Sequence, residues 1–430
     1  MKMESARKKT VMSKNELDIL EYLGQCPVID THEHLEWENM QPSWNVLCDY
    51  TRHYFISDLI SSGMPPGIKG MLADPDLSIT EKWRLLEPYW ERCRYTGYGQ
   101  ALDIVVQKLY GVDGGLNGET IEAVEEGYQK LHGTPGYGRK ILRDMCNIEY
   151  CIVDSGYLEG DSESGLFRFV TQLDGWVLFD PEDLLEWRGV EANPEDIADV
   201  DDWVALCLHT LDGDFVRRGA SAMKLAVAYK RALGFDTISH ERAQRDFEKW
   251  RSGGLPGKAA QDYVMHAILR FADERRLILQ IHTGHQEGET NLVTNANPAL
   301  LNGLFILYPN VRFDLFHIGW PWQSVMGSFG KMFPNIRLNM CWAHMLSPKA
   351  ARDSLYEWMY TVPLNKVFAF GGDCEYYDGV AGHLELAKRN VAAVLSTCVG
   401  DGVFSVSEAR KIARKLFYEN AKEFYDDRGI

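Results

Sequence analysis

The stretch Val28-Ile-Asp-Thr-His-Glu-His-Leu35 sets two histidines one residue apart behind a short apolar run. In a β-strand, residues i and i+2 face the same side. His32 and His34 can therefore aim both imidazoles at one point near the strand's end. Neutral imidazoles are normal ligands of divalent zinc or manganese, especially beside a carboxylate. An HxH pair also arises by chance on surface strands, so its meaning depends on what the rest of the chain brings to the same point.

Eight short apolar runs can supply the frame: Cys26 to Asp30, Ile148 to Val153, Phe167 to Gln172, Ala222 to Val227, Leu277 to Ile281, Val311 to Phe316, Ile336 to Met340 and Val367 to Phe370. In the second half they alternate with helical patterns at Gln261 to Arg275, Pro298 to Tyr308, Trp320 to Met332 and Pro348 to Tyr360. Repeated strand–helix units imply parallel strands with helical crossovers. Eight of them predict a closed (β/α)8 barrel, an α/β fold, with an open doubly wound sheet as the alternative. Between the first two strands, residues 36–145 carry Trp-, Tyr- and Leu-rich helical patterns at Glu81 to Arg92, Gly99 to Tyr110 and Thr120 to Leu131. They read as a helical insertion over the barrel's C-terminal face. Residues 1–14 read as a flexible tail and 15–430 as one domain. Residues 405–425 read as a terminal helix opened by Ser405 with Glu408 three residues on.

Barrel enzymes build their sites at the C-terminal strand ends. Strand one ends in His32 and His34, strand four carries Lys224, strand five ends in His282, strand six in His317 and strand eight in Gly-Gly-Asp373. Each is weak alone: a lone strand-end histidine is commonly structural, and Asp after Gly-Gly is an ordinary turn residue. Lys224 is the odd one, because a lysine in an apolar strand must be paired, neutral or modified. Five such ends out of eight point to a metal site that leaves a coordination position open for water or substrate.

The chain carries a net charge of −17 and no long Lys/Arg stripe, which argues against nucleic acid as a partner. No apolar run reaches the roughly 18 residues of a membrane helix, and the N-terminus lacks the apolar core of a signal peptide. Nine scattered cysteines without a CxxC fit buried thiols in a reduced, cytoplasmic protein.

The HxH after strand one, the histidines after strands five and six and the aspartate after strand eight resemble the amidohydrolase superfamily, in particular its amidohydrolase-related branch. Leu279-Gln-Ile-His-Thr-Gly284, Asn297-Pro298, His317-Ile-Gly-Trp-Pro321 and Phe333-Pro-Asn-Ile336 are similar to the amidohydrolase-like domain fused to some glutamine synthetases. A second resemblance, to uronate isomerases, rests on the HxH, on Trp90-Glu-Arg-Cys-Arg with Leu109-Tyr-Gly111 in the insertion, on Met145-Cys-Asn-Ile-Glu-Tyr before strand two, and on Trp342 after strand seven. The chain departs from that pattern in Ile-His-Thr-Gly at strand five and Gly-Gly-Asp-Cys-Glu at strand eight.

The resemblance implies that His32, His34 and Asp373 are metal ligands, His282 a further ligand, and His317 a ligand or a contact to the polarised substrate group. It implies one or two ions, zinc before manganese, with Lys224 bridging two of them if carboxylated. Tyr229 and Arg231 could hold a substrate carboxylate, against a plain reading as the solvated start of a helix. His285 and Glu287 could line the pocket, Trp320, Trp322 and Trp342 could wall it, and His344 and His383 could support ligands from behind. His53, His132, His209, His240 and His266 receive no role.

The expected activity is metal-dependent hydrolysis of an amide, ester or lactone in a small polar substrate. In it, Asp373 moves the water's proton and His317 stabilises the oxyanion. The alternatives are a uronate-type isomerase or a decarboxylase of the same superfamily and, from another class, a barrel kept as a binding module. Partners are a small molecule, carboxylate-bearing in the isomerase and decarboxylase readings, and a second copy of the chain, since such barrels often oligomerise.

Overall fold

The computed structural model describes residues 12–36, 45–154 and 165–427. Eight parallel strands, β1 (Val28–Glu33), β2 (Ile148–Val153), β3 (Phe167–Gln172), β4 (Ala222–Leu225), β5 (Ile278–Ile281), β6 (Arg312–Leu315), β7 (Ile336–Asn339) and β8 (Val367–Phe368), pair in sequence order. Past the end of β8 the chain runs on against β1. Thr31 N–H donates to the Phe370 carbonyl at 3.4 Å, Asp373 N–H to the His32 carbonyl at 2.8 Å and His34 N–H to the Cys374 carbonyl at 3.0 Å. The result is a nearly closed (β/α)8 barrel, as expected from the alternation of elements.

The interior is layered. At the N-terminal end Ile29, Val170, Ala222, Ile278 and Phe368 form an apolar plug with Phe424 and Tyr425. The terminal segment that supplies the last two is three pieces rather than one helix: Val406–Arg414, a π-turn at Lys415–Glu419, and Asn420–Asp426. The expected Ser405/Glu408 capping box opens it. Above the plug lies a polar layer. Asn339 Nδ2 donates to Asp314 Oδ2 at 3.0 Å, and Gln280 Nε2 donates to the Thr31 carbonyl at 3.0 Å and to Tyr425 Oη at 2.8 Å. The Tyr425 hydroxyl also donates to Asp314.

The expected insertion is helical, with Val46–Tyr50, Phe55–Ser61, Gly67–Leu72, Ile79–Cys93, Gly97–Lys108 and Ile121–His132 between β1 and β2. The expected tail lies mostly outside the described residues, and its last residue, Lys14, already belongs to the helix Lys14–Gln25 capped by Ser13. The nine cysteines are free and buried. Among the described residues, no helix is long and apolar enough to cross a membrane.

Candidate metal centre

β1 ends later than its apolar run suggests, so His32 is a strand residue and His34 follows just beyond it. Strict alternation would not put His32 inside the barrel, because Ile29 and Thr31 already point there. The pairing of β1 with β2 slips between Asp30 and Glu33, and the slip turns His32 inward. Asp30 braces the turn by accepting from His32 N–H at 3.3 Å and from Gly372 N–H at 3.0 Å. Its carboxyl is pushed up to about 6 by burial, and burial followed by Asp30 pushes Glu33 well above the carboxylate range.

Three donor atoms meet above the polar layer. His32 Nε2 and His34 Nε2 are 3.3 Å apart, and Asp373 Oδ1 lies 3.3 Å from His34 Nε2 and 3.5 Å from His32 Nε2. Ligands about 2.0–2.1 Å from a tetrahedral ion sit about 3.3–3.4 Å from one another. The triangle thus has the edges of one face of such a site. All three residues belong to one candidate metal cluster.

A second pair of nitrogens carries a sharper signal. His317 Nδ1 lies 3.0 Å from the Cys341 carbonyl and His282 Nε2 lies 2.8 Å from the His285 carbonyl. Carbonyls only accept, so those two nitrogens hold the protons. His317 Nε2 and His282 Nδ1, 2.9 Å apart, therefore face each other with two lone pairs. Burial lowers His317 to about 4, and burial followed by His317 lowers His282 well below the imidazole range, so no proton relieves the contact at neutral pH. A cation does. His34 differs: its Nδ1 faces the Asp154 carbonyl at 3.2 Å, and its Nε2 faces Asp373 Oδ1 at 3.3 Å, a position where an ion can take the place of a proton. The donor set fits a divalent metal.

Asp373 is the anionic centre. Burial pushes its carboxyl up, but the His34 hydrogen bond, followed by the electrostatic influence of the His317 and His32 side chains, outweighs that and holds it well below the usual range. For His34 burial works downward, and the hydrogen bond and charge of Asp373 prevail and raise it. His317, Trp342 and Asp373 all adopt left-handed backbone, with φ of 64, 60 and 56°. For non-glycine residues such conformations persist only where surrounding contacts enforce them.

Lys224 is buried with Nζ 2.8 Å from His32 Nε2 and 4.5 Å from the centre of the Phe316 ring. Tyr229 ends a short 3-10 turn, with its ring 5.0 Å from His282 and its hydroxyl accepting from Glu287 N–H at 3.1 Å. The His285 ring packs between Trp320 at 5.4 Å and Trp342 at 5.7 Å.

Arg231 is not brought to the cluster. Its guanidinium is bound to Asp262 Oδ1 at 2.7 Å, the Gly234 carbonyl at 2.7 Å and Gln261 Oε1 at 2.9 Å, which corrects both the substrate-clamp and the solvated-helix expectations. His344 and His383 reach the Ala369 and Gly372 carbonyls, so they brace the backbone between β8 and Asp373 rather than the ligand side chains.

Two residues of the insertion were missed by sequence reasoning. Tyr54 stacks on Trp342 at 4.2 Å, and burial, with Asp373 beside it, drives its phenol well up, so it stays protonated as a donor. His53 packs on Tyr54 at 3.7 Å with Nε2 3.6 Å from Glu375 Oε1. The pattern His53-Tyr54 offered no periodic cue. Cys341 also falls within a second candidate cluster with His317 and Asp373, but burial followed by Asp373 raises its thiol well above the ordinary value, which keeps it protonated.

Residues 179–426, more than half of the chain, match the family model described as amidohydrolase. The protein belongs to the amidohydrolase family. Among curated relatives, this amidohydrolase is 26% identical over 264 residues to protein fluG of Emericella nidulans, covering 54% of this chain but only 29% of fluG. It is 21% identical over 411 residues to a uronate isomerase of Rhizorhabdus wittichii, covering 87% of this chain and 86% of that one. Its fold is similar to that of uronate isomerase from Thermotoga maritima, with a TM-score of 0.77, 17% identity, and 96% and 98% of the two chains covered.

Proposed function

We propose that this amidohydrolase is a metal-dependent hydrolase that adds water to the carbonyl carbon of an amide, ester or lactone in a small polar substrate. The observation that carries the reading is the convergence of His32 Nε2, His34 Nε2 and Asp373 Oδ1 to within 3.3–3.5 Å of one another, beside the facing lone pairs of His282 and His317. Neutral imidazoles with one carboxylate favour zinc, with manganese as the alternative. His32, His34 and Asp373 would hold one ion, and the His282–His317 pair supplies donors for a second if Lys224 becomes carboxylated. A divalent ion there would supply Lewis acidity and bring the pKa of a water near ~7.

The chain's own groups divide the remaining work. Asp373, held ionised, accepts the attacking water's proton and returns it to the leaving group. His317 carries its proton on the side of the Cys341 carbonyl, so as a neutral ring it has no N–H for an oxyanion. We therefore place it among the metal donors and assign oxyanion donation to the Tyr54 hydroxyl. Tyr229, His285, Trp320 and Trp342 line the approach.

A second reading, aldose–ketose isomerisation, is favoured by one observation: the similarity to a uronate isomerase runs through 87% of the chain, the insertion included. Two measurements test the readings. Metal per chain, measured in wild type and in His32→Ala/His34→Ala, should fall from one or two equivalents to none. Turnover in ¹⁸O-water should label the product. An unlabelled isomer of unchanged mass would replace the hydrolase by the isomerase, released carbon dioxide would replace it by a decarboxylase, and a wild type that takes up no zinc or manganese would overturn both.

A further inference from the structure

Helix Gly97–Lys108 of the insertion lies against helix Tyr377–Gly400 of the barrel. They close tightly at Gly382, where a Cβ would stand 2.6 Å from the Ala101 carbonyl oxygen. Beside that contact the two helices part around a cavity of about 170 Å³, with Met145 and Cys146 contributing from the chain just before β2. Its walls are mainly apolar: Ile104, Val105, Leu109, Met145, Ala381 and Leu384.

Lys388 lines this cavity and is only 6% exposed. Among the described residues its ammonium has neither an ion pair nor a hydrogen bond. Glu385 and Lys108 also line the cavity and are paired with each other, Glu385 accepting from Lys108 Nζ at 2.8 Å and from Arg389 Nε at 2.9 Å, so the Glu385 carboxylate is already neutralised by other cations. Cys146 supplies no counter-charge, because burial pushes its thiol up to about 12, and burial raises Cys26 as well. An ammonium that opens onto a mainly apolar cavity without a protein counter-ion is poorly solvated there and favours pairing with an anion that enters it.

We propose that this cavity is a second ligand site, separate from the metal centre, for a small monocarboxylate with a compact apolar body, and that Lys388 is its counter-ion. The size sets the ligand. An apolar cavity of roughly 150 Å³ accepts benzene, so the site takes an aromatic or short branched acid of benzoate's dimensions. The carboxylate faces Lys388 and the body meets the Ile104, Leu109 and Leu384 side chains. The inference does not depend on which reaction the metal centre performs.

The test uses the full chain and sodium benzoate, with benzamide as its uncharged isostere, followed by titration calorimetry. Benzoate should bind saturably to wild type and equally to His32→Ala/His34→Ala, with benzamide at least about tenfold weaker. Lys388→Met should lose at least about tenfold in benzoate affinity, without a lower melting temperature, because it removes a charge that no protein group pairs. Ala381→Phe, which fills the cavity and leaves the lysine in place, should give the same loss. Unchanged affinity in either variant, equal affinity for benzamide, loss of binding in His32→Ala/His34→Ala, or no saturable binding in wild type would each overturn the proposal.

Discussion

Lys224 Nζ lies 2.8 Å from His32 Nε2, closer than any edge of the His32–His34–Asp373 triangle. The lysine therefore donates to the lone pair that His32 would give to an ion. The two uses exclude each other, so loading the triangle must move Lys224 aside.

Replacement of this lysine separates the two donor sets. Lys224→Met should keep one equivalent of metal at the triangle and lose any second, with turnover reduced at least about 100-fold. Metal analysis beside steady-state kinetics checks this. Loss of all metal would mean that Lys224 builds the triangle rather than competing with it.

Tyr54→Phe isolates the hydroxyl from the ring. The stack on Trp342 at 4.2 Å survives in phenylalanine, so folding and metal content should match wild type. Turnover should fall by about 10² to 10³, the range for removing one transition-state donor. An unaltered kcat would leave Tyr54 as packing only.

Metal removal should destabilise the fold. An ion bound only by the native state stabilises it by about 2.7 kcal/mol at a free concentration 100 times its Kd. A chelator should therefore lower the wild-type melting temperature, and zinc should restore it. In His282→Ala/His317→Ala the response should shrink but persist, because the triangle remains. A response identical to wild type would show that this pair holds no ion.

Gly372→Ala tests why Asp373 follows two glycines. A Cβ on Gly372 would stand 1.8 Å from Glu33 Oε1, and one on Gly371 would stand 2.7 Å from Thr31 Oγ1. The turn works only if the backbone lies flat against β1, which is how Asp373 N–H reaches the His32 carbonyl. The substitution should cost about 1–3 kcal/mol of stability as overpacking and should weaken metal binding. Retained metal affinity in a folded variant would detach the turn from the site.

The strand ends were legible because buried parallel strands read as short apolar runs, and whatever follows such a run faces the barrel mouth. His282, His317 and Asp373 were singled out that way. The conformations that aim them were not legible, since left-handed φ at His317 and Asp373 is imposed by neighbours distant in sequence. Nor was the β1 slip, which makes the alternation argument for His32 and His34 right about the pair and wrong about the strand. Tyr54 was hidden because nothing local tells how an insertion lies over a barrel. Arg231 misled because its partners, Asp262 and Gln261, come from a helix some 30 residues later. Gly-Gly before Asp373 looked like ordinary turn chemistry, and its steric reason lies in Thr31 and Glu33.

The polar layer beneath the centre makes stability depend on pH. Asp314 is fully buried, and burial lifts its carboxyl to about 7 from an ordinary 3.8, against the hydrogen bonds from Tyr425 and Asn339. With a folded pKa above the unfolded one, the native state binds more protons between pH 4 and 7. Stability from this group is therefore fully present below about pH 4 and declines as pH rises through 7, by at most about 1.4 kcal/mol per pH unit. Asp314→Asn cannot ionise and should flatten that part of the profile. The variant should gain on wild type as pH rises from 4 to 8, while its amide oxygen still accepts from Tyr425 and Asn339. Urea denaturation at several pH values, on chelator-treated protein so that metal binding does not contribute, measures the difference. Parallel profiles for the two proteins would show that Asp314 is ionised throughout and that the polar layer compensates its charge.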